Sequence, residues 1–242
     1  MKKGTLLFGL CAILLAGGLS SCNNSTTTAD DASATEEAVS AEDEGKAVQT
    51  TLREPAEKAM GVKVGDAAPT FKLKNIDGEM YSFENIKDAN GETPKGFIVT
   101  FTCNTCPYAV MYEDRLIDLH NNMSPQGYPV VAIQPNDPEL KAGDSFEAMQ
   151  ERAAEKGFPF LYLMDEGQEV YPQYGASRTP EIYLVDGEGI VRYHGAIDDN
   201  AQEPENVTVN YVEKAVESIE NGQDPDPADV KAIGCTIKAK RT

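Results

Sequence analysis

The chain has 242 residues, with 21 Lys and Arg against 40 Asp and Glu, for a formal net charge of −19. So acidic a polypeptide argues against binding to nucleic acid, and against electrostatic binding to anionic lipid, and points to proteins or neutral small molecules as partners. Its two histidines, His120 and His194, lie far apart among five cysteines, so neither a metal centre nor a Cys-His catalytic pair is expected.

Residues 1–21 read as an export signal: Lys2 and Lys3 form a basic start, Leu6 to Leu15 an apolar stretch too short to span a bilayer comfortably, and small residues follow. The end of that segment, Leu19-Ser20-Ser21-Cys22, resembles the bacterial lipobox, which implies cleavage before Cys22 and a lipid on its thiol. Cys11 leaves with the signal, as do Lys2 and Lys3, taking the mature charge to −21. Asn23 after the anchor favours the outer membrane, periplasmic side, in bacteria resembling enterobacteria. Residues 22–60 are Ser, Thr, Ala, Asp and Glu with almost no large apolar side chain, which reads as a disordered tether because too little apolar surface can be buried to offset ordering.

Residues 61–222 suffice for one domain. Thr70–Lys74 and Met80–Phe83 flank Asn75-Ile76-Asp77-Gly78, a hairpin signal. Gly96–Thr102 is a continuous apolar strand of the kind buried on both faces. It runs into Cys103-Asn104-Thr105-Cys106-Pro107, after which Ala109, Tyr112, Leu116, Leu119 and Met123 recur at helical spacing. Tyr128–Ile133 is the next strand, Ser145–Lys156 a helix closed by Gly157, and Phe160–Met164 a further strand. Ile182–Val185 and Ile190–Tyr193 are joined at Asp186-Gly187-Glu188-Gly189, and Val209–Glu220 is the last helix. This alternation gives an α/β three-layer sandwich with a mixed central sheet flanked by helices and an N-terminal hairpin. Residues 223–242 form a Pro-punctuated tail carrying Cys235.

The Cys-x-x-Cys spacing puts two sulfurs within disulfide reach if the helix begins at the motif. Cys103, at or just before the helix start, is then the expected exposed nucleophile, favoured as thiolate by the positive helix end, and Cys106 the shielded resolving thiol. Pro107 fits a first helical turn.

From Gly65-Asp66-Ala67-Ala68-Pro69 through the cysteine pair to Thr179-Pro180-Glu181 and the ending Ile233-Gly234-Cys235-Thr236-Ile237-Lys238, the chain resembles the thioredoxin-like superfamily, in its redoxin branch between thiol-disulfide oxidoreductases and peroxiredoxins. The resemblance implies a thioredoxin-like fold, a cis Thr179–Pro180 loop opposite the cysteines whose Thr179 backbone pairs with an extended substrate, and a redox-active disulfide with no other cofactor. It implies, for a lipoprotein of this branch, exchange of the Cys103/Cys106 dithiol with extracytoplasmic protein disulfides or a membrane electron donor. Two alternatives stay open: a peroxidase using Cys106, ranked lower because Cys103 stands where peroxiredoxins place Thr or Ser, and a non-enzymatic metal carrier. Thr102 and Phe97 stand where thioredoxin has its Trp and buried Asp, leaving Glu113 or Glu181 as guesses for the proton acceptor, and Val110 and Met111 stand where relatives carry basic residues. Arg178 is an auxiliary candidate for lowering a thiol pKa if it points inward, and Cys235 is either a second resolving thiol or redox-state lock bonded to Cys103 or Cys106, or an inert packed thiol, or a dimerising one. Asp198 and Asp199 are assigned to turn or helix capping.

Overall fold

A computed structural model describes residues 61–240. The expected signal, Cys22 anchor and tether lie outside the described residues.

The elements in chain order are β1 (Leu73–Asn75), β2 (Met80–Tyr81), β3 (Gly96–Phe101), α1 (Pro107–Met123), β4 (Val130–Gln134), α2 (Phe146–Lys156) and β5 (Leu161–Met164). They continue with α3 (Tyr171–Tyr174), β6 (Arg178–Thr179), β7 (Glu181–Asp186), β8 (Val191–Gly195), α4 (Tyr211–Glu220) and β9 (Cys235–Thr236). Seven strands form one mixed sheet in the order β2-β1-β5-β4-β3-β7-β8. Strand β3 runs parallel to β4 and antiparallel to β7, with Ile98 opposite Val130 on one side and Leu184 on the other. This is the thioredoxin-like arrangement, with the β1–β2 hairpin added at the edge beside β5.

Every residue of β3 and β4 is buried, which explains their unbroken apolar runs. Alternate residues point to opposite faces. Ile98, Val130, Ala132, Ile182 and Leu184 pack against Tyr112, Leu116 and Leu119 of α1, Met149 of α2 and Val212 and Val216 of α4. Phe97, Val99, Phe101, Val131 and Ile133 face the opposite layer, closed by Phe71, Ile86, Tyr174 and the tail residue Ile237. Each fully buried side chain of this size contributes about 1.5–3 kcal/mol.

Local sequence sets the helix ends. Ser145 caps α2, its hydroxyl accepting from the Ala148 N–H, and Gly157 at φ 68° closes it. Helix α1 begins at Pro107, with Cys106 as its N-cap in extended conformation. The helix therefore starts at the second cysteine, and Cys103 lies in the turn between β3 and α1.

The tail packs on the domain. Val230 N–H donates to His194 O at 2.9 Å and His194 N–H to Ala228 O at 3.0 Å along the β8 edge. Gly195, at φ 138°, admits this contact because a Cβ there would lie 1.8 Å from Val230 O. Beyond it, β9 pairs antiparallel with β6, placing Cys235 opposite Thr179. Asp198 is more than a cap: buried, it accepts from Tyr112 Oη at 2.7 Å and Arg115 Nη1 at 2.7 Å.

Candidate active site

The turn after β3 delivers Cys103, the N-cap of α1 delivers Cys106, and β6 delivers Thr179, whose peptide bond to Pro180 is cis. The two thiols converge on one residue. Cys103 Sγ lies 3.3 Å from Thr179 Oγ1, and Cys106 Sγ donates to Thr179 O at 3.0 Å. Both are free thiols, each only 3% exposed. The expected contrast between an exposed Cys103 and a shielded Cys106 is therefore absent, and Cys235 of the tail packs against their cluster.

The thiols differ in charge preference, opposite to expectation. Burial pushes the Cys103 thiol up and the Asp144 carboxylate adds to this, against weaker help from the Thr179 hydroxyl and the Cys106 N–H. Burial also opposes ionisation of Cys106, but hydrogen bonds from the Cys235 side chain, the Ala109 N–H, the Cys235 N–H and Thr179 outweigh it, and its thiol falls below the ordinary value. The Cys235 side chain is the leading cause of that fall, ahead of the Ala109 N–H in the first turn of α1; as N-cap, Cys106 makes no side-chain capping hydrogen bond.

A buried carboxylate that the sequence did not disclose holds the loop. Asp144, fully buried, accepts from the Asn104 N–H at 2.9 Å, the Thr105 N–H at 3.0 Å, Thr105 Oγ1 at 2.7 Å and Asn136 Nδ2 at 2.8 Å. Gln134 Nε2 fixes the Asp144 carbonyl at 2.6 Å, and Tyr162 Oη donates to Asn104 Oδ1 at 3.0 Å. The two guesses for a buried acid are otherwise engaged. Glu113 receives both Nε and Nη2 of Arg152, at 2.7 and 2.6 Å. Glu181 accepts from the Ser177 and Arg178 N–H groups, at 2.8 and 2.9 Å, and pairs with His194 Nε2 at 2.8 Å. Arg178 turns to the tail, its Nη1 donating to Gly234 O at 2.9 Å, so it braces β9 and faces away from the thiol role considered for it. Among the described residues no group of three or more His, Cys, Asp or Glu is placed to hold a metal ion.

His120 is satisfied, its Nδ1 accepting from the Val130 N–H. His194 ties the site to the tail, pairing with Glu181 of β7 and with Asp229 at 3.0 Å while its ring packs on Tyr183. Burial lowers its pKa, but the two carboxylates prevail and raise it above 6.5. Glu181 is held below 4.5 despite burial, by His194 and the two N–H groups. A raised His contributes stability fully below 6.5 that is lost as pH climbs through its folded value; a depressed Glu contributes above 4.5 and loses it as pH falls. The melting temperature is expected to be highest between 4.5 and 6.5 and to fall above it, and His194→Gln to flatten that alkaline fall. An alkaline limb of equal slope in the variant would refute the assignment.

Comparison with known proteins agrees with this geometry. The chain is 25% identical over 133 residues to the thiol-disulfide oxidoreductase ResA of Halalkalibacterium halodurans, covering 54% of this chain and 68% of that protein. It is 28% identical over 142 residues to the thiol:disulfide interchange protein DsbE of Tatumella citrea, covering 57% and 68%. Among solved structures, an uncharacterized conserved protein from Geobacillus kaustophilus superposes with a TM-score of 0.68 at 33% identity, covering 74% of this chain and 94% of that one. A hypothetical protein from Sinorhizobium meliloti does so with a TM-score of 0.68 at 30% identity, covering 75% and 97%. Residues 64–194 match the AhpC/TSA family model. With the paired thiols set on Thr179 in a thioredoxin-like sheet, the chain belongs to the AhpC/TSA family and is an oxidoreductase of its redoxin branch.

Proposed function

We propose that the protein is a membrane-tethered thiol-disulfide oxidoreductase that exchanges its Cys103/Cys106 dithiol with disulfides of extracytoplasmic proteins. The observation carrying this reading is the gathering of both sulfurs on Thr179, at 3.3 and 3.0 Å, beside the peptide edge that an extended partner segment would pair with. In this scheme the Cys106 thiolate attacks a partner disulfide, one partner sulfur leaves as thiolate, and Cys103 then attacks Cys106 to release the second. Cys106 takes the first step because it is the thiol held low and lines a cavity of about 160 Å³ with Thr105, Pro107, Lys141 and Thr179, whereas Cys103 is held high. Val110, Met111 and Ile233 are exposed apolar side chains flanking the motif and β9, suited to a protein partner. The anchor on Cys22, the outer-membrane placement suggested by Asn23, and a disulfide as sole redox group belong to the same proposal and rest on sequence.

Its test is dithiol-dependent reduction of a model protein disulfide by the purified protein. Catalysis is expected; wild-type protein without it contradicts the reading. A peroxidase is the second reading, favoured by the low Cys106 thiol next to Pro107 in a chain of this family. Peroxide consumption that fails in Cys106→Ser and survives in Cys103→Ser would select it.

A further inference from the structure

The tail strand occupies the edge that the proposed exchange needs for its partners. Strand β9 pairs with β6 in the register Arg178 to Thr236 and Thr179 to Cys235. Its approach is close enough that a Cβ on Gly234 would lie 2.2 Å from Thr179 O, and Arg178 Nη1, Ser177 O and Asn136 Oδ1 hold Gly234, Ile237 and Lys238 in turn. Side chains directly opposite in an antiparallel pair have Cβ atoms about 4.5–5.5 Å apart. The Thr179 carbonyl that faces Cys235 across this pair is the one that receives the Cys106 thiol, and Cys106 and Cys235 line one cavity and one apolar cluster with Cys103.

The geometry points to Cys235 as a third redox-active thiol that takes Cys106 from the motif disulfide. Resting on the exchange reading above, the step begins with Cys103 and Cys106 joined. The Cys235 sulfur attacks Cys106 Sγ, the Cys106–Cys235 bond forms as the Cys103–Cys106 bond breaks, and Cys103 leaves as thiolate and takes up the proton that Cys235 releases. No external oxidant or reductant enters, because one disulfide replaces another. In the reduced protein Cys235 is pushed up to about 11 by burial and by its hydrogen bond to Cys106 and the charge of that neighbour, the latter two vanishing once Cys106 is in a disulfide. The product fastens β9 covalently over β6, so the oxidised protein stores its disulfide behind its own tail, away from an incoming segment.

The test is a disulfide map. Full-length protein is treated with hydroxyethyl disulfide, quenched in acid, alkylated and mapped by mass spectrometry. Wild type is expected to divide between Cys103–Cys106 with Cys235 alkylated and Cys106–Cys235 with Cys103 alkylated, and Cys103→Ser to collect as Cys106–Cys235. Cys235 fully alkylated in both proteins, with Cys106 of the variant held as a mixed disulfide, overturns the inference. Cys235→Ser separates the two claims: a Cys103–Cys106 disulfide there upholds the exchange reading whatever Cys235 does, and its absence there refutes that reading even if Cys106–Cys235 forms in Cys103→Ser.

Discussion

Cys106→Ser is expected to reduce dithiol-dependent reduction of a protein disulfide to the uncatalysed rate, a loss on the order of 10⁴-fold, as when a covalent nucleophile is removed. The expectation follows from the surroundings of Cys106. Against its burial, the Cys235 side chain first, then the Ala109 N–H, the Cys235 N–H and Thr179 favour its thiolate, and it sits at the N-cap of α1, the positive end of the helix. Serine is close in size and remains polar but lacks a sulfur to form the mixed disulfide. Cys103→Ser differs in kind, because the first attack survives and release of the partner passes from Cys103 to Cys235, leaving the protein as Cys106–Cys235. Retained turnover in Cys106→Ser, measured against Cys103→Ser in the same assay, would remove Cys106 from the first step.

Asp144→Ala is expected to cost about 3 kcal/mol or more and to lower the melting temperature by roughly 10 °C in a domain of this size. Four donors, the N–H groups of Asn104 and Thr105, the Thr105 hydroxyl and the Asn136 amide, lose their acceptor together in a buried site. Asn104 and Thr105 are the residues between the cysteines, so the loss falls on the spacing of the sulfurs. Asp144→Asn keeps the volume and part of the acceptor capacity while removing the charge. Since burial first and the Asp144 charge next raise Cys103, this variant is expected to shift the pH dependence of Cys103 alkylation to lower pH. An unshifted profile would make Asp144 a purely structural residue.

These two residues mark the limit of what the chain alone discloses. Strand β3, the cysteine pair and Thr179-Pro180 are legible because each is a local pattern: a continuous apolar run, a spacing, a dipeptide followed by a strand. The α2 boundaries are equally local, set by Ser145 and Gly157. Asp144 is not legible, since it lies in a one-turn 3-10 segment about forty residues after the motif and acquires its partners only when that turn packs beneath Cys103 to Cys106. The tail is hidden for a related reason. Its docking is written in Gly195 and Gly234, two residues lacking a Cβ where backbones meet, and a lone glycine does not name the segment it admits. The contrast between the two thiols turns on Asp144 beside Cys103 and Cys235 beside Cys106, two partners distant in sequence that only the fold brings to the motif. Phe97 packs in the core where thioredoxin has its buried Asp, and the carboxylate bearing on Cys103 comes from another part of the chain.

Cys106 as the attacking thiol is tested most directly by comparing two single-cysteine proteins. Cys103→Ser/Cys235→Ser retains Cys106, and Cys106→Ser/Cys235→Ser retains Cys103; each is mixed with a model disulfide near neutral pH and the mixed disulfide is followed by mass spectrometry. Adduct formation is expected to be rapid on Cys106 and slow on Cys103. Faster capture by Cys103 would contradict that assignment.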